Sequence, residues 1–310
     1  MSRTLPARRA VGALIIAAAC WGVGTAVSKQ AVAEVPPLTL LPVQLAVSLV
    51  VLAVIAQRRG ERPPAGREGR LLGRLGLLNP GLAYALSLAG LTMITASLSV
   101  LLWAVEPVLI LLLAALVLGE RPGWALVALS AIAIAGLGLV LYDPSATGAA
   151  LGVVLTVAGV GCCAAYTVAT RHLLLGADST LGVVVAQQAH ALAFATGLLV
   201  VGGLAGLPVL PIALTAAGVV STIVSGLLYY GLAYWCYLTG LRLVPASVAA
   251  VSFYLIPVFG GAAAVAFGER LGAAQWAGAA VVGVAVAGIT VRTASAGVEQ
   301  SKRAGSPEIA

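Results

Sequence analysis

Acidic side chains are scarce in this sequence, and one of them stands where an ionised group is costly. Glu106 falls inside a long apolar run and is followed directly by Pro107. A charged side chain at the centre of a bilayer costs about 2.5 to 3.5 kcal/mol on insertion scales, so it needs a partner, a wet cavity or a proton. Proline has no N–H, so the carbonyl of Trp103 loses its helical partner and a kink is expected at Pro107. A carboxyl beside such a break can bind substrate or carry a coupling proton. The competing reading is a hydrogen bond to a neighbouring helix that only fixes packing. Lys29 is the second candidate, because it is the basic residue that lies within an apolar run away from the charged rims. Its competing reading is a long stem that snorkels to the interface. A second tier is aromatic or amide: Trp21, Asn79, Tyr84, Trp103, Tyr166, Tyr230, Tyr234 and Tyr254. Some of these are expected to touch substrate and others to anchor span ends at the interface. Tyr230, Tyr234 and Tyr237 share one helical face, beside Tyr229 and Trp235, and that face lines a pore or packs on a neighbour.

Other chemistry is absent from the pattern. His172 and His190 are the two histidines, and the proximity of His190 to Gln187 in sequence suggests a relay less strongly than a packed polar residue. No HExxH, GxSxG or Walker motif occurs, and no pair of aspartates lies in an apolar run. We therefore expect no enzyme activity, no metal site and no cofactor. Cys20, Cys162, Cys163 and Cys236 lie in apolar runs without CxxC spacing and read as small buried hydrophobes.

The elements that must hold these residues are set by composition. With 61% hydrophobic and 9% charged residues, and a mean hydropathy of +1.08, the chain cannot cover itself with polar groups, so its solvent is lipid. Apolar runs of spanning length fall at 11–33, 38–56, 72–92, 95–118, 122–142, 149–170, 180–203, 213–241, 245–267 and 271–292. The eighth is overlong and suggests tilt. The alternation that a membrane barrel requires is missing. With the N-terminus inside, all of the 17 Lys and Arg residues except Arg270 and Lys29 fall on the inner side. That bias predicts ten spans with both termini cytoplasmic. The same distribution explains the net charge of +7 without any nucleic-acid partner. The first run continues past Cys20 and reads as a span, not a signal peptide.

A repeat organises the spans. Ala96, Ser97 and Pro107 recur as Ala246, Ser247 and Pro257, 150 residues later, and Gly119-Glu120-Arg121 recurs as Gly268-Glu269-Arg270 after 149. Thr25, Ser28 and Lys29 match Thr167, Thr170 and Arg171 more weakly, with Trp21 falling on Cys163. The prolines predict a kink in each half, at Pro107 and at Pro257, while Ile256 replaces the carboxyl of Glu106. The halves are 11–142 and 149–292, followed by a disordered cytoplasmic tail over 293–310. Five spans per half is odd, so the second half enters from the opposite side and the fold class is an all-α polytopic membrane protein of ten transmembrane helices in two inverted five-helix repeats. Glu120 and Glu269 mark span ends and are expected to make interfacial hydrogen bonds.

Trp21-Gly22 in the first span, Pro107 in the fourth and Gly119-Glu120-Arg121 after it resemble the EamA-like branch of the drug/metabolite transporter superfamily. The resemblance covers residues 11–292. It implies a plasma or inner membrane transporter in which helices 1, 3, 4, 6, 8 and 9 surround a central cavity while 5 and 10 lie to one side. Many members export amino acids, metabolites or drugs. The expected function is secondary active export of a small molecule by alternating access, with the proton as candidate coupling ion. The alternative is a channel or facilitator without ion coupling. Partners are the small-molecule substrate and the bilayer, with oligomeric state left open.

Overall fold

In lipid every backbone polar group must be paired internally, so apolar runs of this length fold as helices. The structure, a computed structural model, describes residues 4–91, 93, 102–103, 105–120, 123–140, 149–211, 215–266, 273–274, 276–278, 280–285 and 288. No strand occurs among the described residues. The first span is the helix Thr4–Val32, the second Pro37–Arg59, the fifth Trp124–Val140, the sixth Ala150–Leu174 and the seventh Thr180–Leu204. The fourth contributes Glu106–Val117, the eighth runs over Ala216–Leu243, and part of the tenth is helical over Trp276–Ala285. Among the described residues six helices are long and apolar enough to cross a membrane, and three shorter helices are apolar. The expected tail over 293–310 lies outside the described residues.

The third span begins at Gly66, earlier than the apolar run over 72–92 suggests. In Gly66–Gly76 the buried Gly69, Leu72, Gly73 and Gly76 form one stripe, leaving Arg67, Arg70 and Arg74 exposed. A charged helix face at the interface hides this element from a hydropathy reading.

Two spans are interrupted at matching places. In the third, Asn79 leaves the helical region at φ −146°, ψ 123° before a cis Asn79–Pro80 peptide, and the helix resumes at Ala83–Leu91. Proline cannot donate into a helical ladder, so the break falls where Pro80 stands. In the eighth, the helix widens to a π-helical stretch over Gly226–Leu232. Gly-Leu-Leu-Asn-Pro-Gly-Leu-Ala-Tyr at 76–84 and Gly-Leu-Leu-Tyr-Tyr-Gly-Leu-Ala-Tyr at 226–234 are the same segment, 150 residues apart. Their glycines perform the same task. A Cβ on Gly76 would strike the Gln187 carbonyl on the seventh span, and one on Gly226 the Gln44 carbonyl on the second, at 2.9 Å.

The packing repeats likewise. The first span packs on the eighth and ninth, the sixth on the third and fourth, and the second on the seventh. Between helices in lipid the hydrophobic effect gives no drive, so close van der Waals contact at small residues must supply it. A Cβ on Gly240 would lie 2.6 Å from Leu14 and 3.2 Å from the Ala10 carbonyl, and one on Gly90 2.7 Å from the Gly152 carbonyl. Gly22 meets the ninth span so closely that a Cβ would lie 2.6 Å from the Ile256 carbonyl and 2.7 Å from the Gly260 nitrogen. Large apolar residues such as Leu116, Trp124 and Leu204 point outward, as a lipid-facing surface requires.

Carboxylates seal two span ends. Glu34 accepts hydrogen bonds from the Thr215 N–H at 2.9 Å and hydroxyl at 2.6 Å, where the eighth span starts. Glu120 accepts from the N–H groups of Ala246 and Ser247 at 2.8 and 3.0 Å and from the Ser247 hydroxyl at 2.6 Å. Negative charge at a helix N-terminus satisfies orphan donors and complements the dipole. Arg121, Glu269 and Arg270 lie outside the described residues.

Candidate functional site

The interrupted spans place aromatic side chains between the halves. Trp21 of the first span lies 5.5 Å from Tyr234, 5.3 Å from Tyr237 and 5.5 Å from Phe253, ring centre to ring centre. Tyr230 stacks on Tyr234 at 6.4 Å, and Tyr166 meets Tyr234 edge-on at 6.4 Å. Tyr84 extends the layer, 6.0 Å from both Trp103 and Tyr230 and 5.8 Å from Tyr229. Edge-to-face and offset contacts of this kind hold rings in fixed orientation.

Hydroxyl groups in the layer are joined by hydrogen bonds, since a buried phenol without a partner is costly. Tyr84 donates to the Tyr229 hydroxyl at 2.7 Å, Tyr234 to Asn79 Oδ1 at 3.0 Å and Tyr166 to Gln187 Oε1 at 2.8 Å. Tyr237 and Thr167 share a hydrogen bond at 3.3 Å. The indole N–H of Trp21 is buried without a partner. That leaves an unused donor inside the aromatic layer.

Glu106 is buried, with 9% of its surface exposed, in the first turn of its helix, and Pro107 is the second residue. Leu102 and Trp103 are helical, Val105 closes a turn onto Leu102, and the helix that follows starts at Glu106, beside the proline where the sequence predicts a kink. Proline is tolerated in a first turn because its missing N–H would have had no partner. Pro257 occupies the same place, second in Ile256–Ala266, where a tighter 3₁₀ stretch over Val251–Leu255 gives way to α-helix. Among the described residues no hydrogen bond or ion pair reaches the Glu106 carboxyl. Its helix packs on the sixth span, which carries Cys163 and Tyr166.

Trp21, Asn79, Tyr84, Trp103, Tyr166, Tyr230 and Tyr234 thus converge, with Glu106 near their edge. Tyr254 does not join them. It packs with Ala133, Val282 and Ala285, toward the fifth and tenth spans, and its hydroxyl points toward Ser130 without bonding it. Lys29 belongs to the first helix, and the placement of its side chain lies outside the described residues. His190 bonds the Ala186 carbonyl of its own helix at 2.8 Å while Gln187 is engaged by Tyr166, so the two form no relay. Gln188, beside the Gln187 that the sequence sets near His190, is what a sequence reading misses. Gln187 also donates to the Leu72 carbonyl at 3.1 Å; Gln188 accepts from Ser48 at 2.6 Å and donates to the Tyr230 carbonyl. Adjacent amides in an otherwise apolar span were the available signal.

The pattern of one protein family matches this duplicated architecture twice, over residues 8–142 and 150–291. The chain belongs to the EamA-like transporter family. This EamA-family protein is therefore a ten-helix, all-α, multi-pass membrane protein of transporter type. A protein of known crystal structure shares its fold, with a TM-score of 0.78 and 19% identity over 96% of this chain and 99% of that chain. The comparison with curated proteins finds no match.

Proposed function

We propose that this protein is a secondary active transporter of the cell membrane that exports small metabolites, amino acids or amphiphilic compounds by alternating access. The observation that carries the proposal is Glu106, a buried carboxyl without a hydrogen-bond partner among the described residues, beside an aromatic layer drawn from both halves. The halves, 11–142 and 149–292, are inverted repeats whose relative rocking exposes the aromatic layer to one side and then the other. The rings contact the apolar part of the substrate. Glu106 takes the coupling proton or pairs with a substrate amine, since an intramembrane acid is retained where it works. The arginine-rich rim supports an orientation with both termini in the cytoplasm.

The test is uptake of radiolabelled amino acids and metabolites into proteoliposomes, with and without an imposed proton gradient. At least one compound should accumulate, and faster with the gradient. Failure of every compound to move in either condition would reject transport. Labelling of a cysteine placed at Ala310 from outside intact cells would reject the orientation.

A further inference from the structure

A second site lies on the outer face of the bundle, away from the aromatic layer. Arg59, the last residue of the second helix, holds its guanidinium 4.9 Å from the centre of the Trp235 ring. Its Nη1 is 3.9 Å from Glu61 Oε1, close enough for attraction and too far for a hydrogen bond, so its N–H donors remain for another acceptor. Glu61 is itself steadied by the hydroxyl of Ser179. Together they head a cleft of about 380 Å³ whose wall is one face of the eighth span, Leu232, Trp235, Cys236 and Thr239.

That wall is graded. Thr239, which shares a hydrogen bond with Thr180 at 3.3 Å, lies at the charged end with Ala13 of the first span, and the exposed Leu232 lies two turns deeper. A cation and an anion side by side, above an apolar slot that opens toward lipid, complement a headgroup of paired opposite charges above an acyl chain.

We infer that this cleft binds one phospholipid with a free ammonium group, its phosphate on Arg59 and its ammonium on Glu61. The bilayer supplies such a ligand, and both contacts are charge-assisted. A purely anionic headgroup meets the Glu61 carboxylate, and a choline headgroup has no N–H to give it. The acyl chain lies along Leu232 and Cys236.

Cys236 reports occupancy. A protein carrying Cys20→Ala, Cys162→Ala and Cys163→Ala, in nanodiscs of phosphatidylethanolamine, phosphatidylcholine or phosphatidylglycerol, is treated with N-ethylmaleimide. Alkylation should be about tenfold slower in phosphatidylethanolamine than in the other lipids, the ratio expected for one extra charge-assisted contact. Arg59→Gln should abolish the protection, and Glu61→Gln should bring phosphatidylethanolamine to the phosphatidylcholine rate. Arg59 is exposed at a helix end and Glu61, two residues beyond it, is partly exposed, and glutamine can still accept from Ser179, so neither change threatens folding. Equal rates in the three lipids, or protection that survives Arg59→Gln, would overturn the inference. Protection by inorganic phosphate in phosphatidylcholine would overturn it too, in favour of a simple anion site.

Discussion

Tyr234 donates its hydroxyl hydrogen to Asn79 Oδ1 at 3.0 Å, tying the break of the third span to the eighth. The same bond is made a second time by the counterparts, since Tyr84 stands 150 residues before Tyr234 and Tyr229 stands 150 after Asn79, and Tyr84 donates to Tyr229 at 2.7 Å. One geometry is thus built from two chemistries, amide in one half and phenol in the other.

Tyr234→Phe should leave the buried Asn79 oxygen unpaired and cost about 1 to 3 kcal/mol, because an orphaned acceptor loses its full hydration. Adding Asn79→Leu should recover part of the loss. Unfolding midpoints of the two single variants and the double variant give the coupling, and strictly additive losses would show that the bond contributes nothing.

Glu106→Gln keeps the shape of the side chain while removing its charge and its titration. If the carboxyl carries the coupling proton, the variant should bind substrate normally and lose the response to a proton gradient. If it pairs with a substrate amine, binding should weaken at every pH. Full transport with an unchanged pH profile would leave only a packing role.

Gly22→Val should destabilise by about 1 to 3 kcal/mol, the usual cost of overpacking. A side chain there has to part the first and ninth spans, whose backbones touch at Ile256 and Gly260. Gly12, which has nothing near its missing Cβ, should accept alanine without loss in the same thermal assay.

The Thr215 hydroxyl, and then its N–H, hold the Glu34 carboxyl below the usual carboxylate range. A folded-state pKa lowered in this way contributes stability that is present in full above the unfolded value of about 4.3. It is lost as pH falls through the folded value. Acid unfolding curves of the native protein should therefore steepen below about pH 4.3 relative to Glu34→Gln. Parallel curves would remove Glu34 from the account.

The membrane class and the duplication were legible in the chain because both are properties of runs. Hydropathy sums along a segment, and the paired Pro107 and Pro257 keep their spacing whatever the helices do around them. The segment shared by 76–84 and 226–234 was just as available, and it marks the two interruptions more sharply than the prolines of the fourth and ninth spans.

Azimuth was not legible. Tyr254 and Tyr234 are alike in type and both lie in apolar spans, yet Tyr234 faces the centre and Tyr254 faces Ala133 and Val282. Gln187 belongs to a helix expected at the periphery and still reaches Tyr166 and Leu72. The sequence by itself determined that the chain is apolar, helical and repeated. Which side chains meet was decided in the tertiary structure, because in lipid every face of such a helix is equally soluble. Close backbone contacts, at Gly22, Gly76, Gly90, Gly226 and Gly240, together with interhelical hydrogen bonds such as Tyr234–Asn79, select the one rotation that packs.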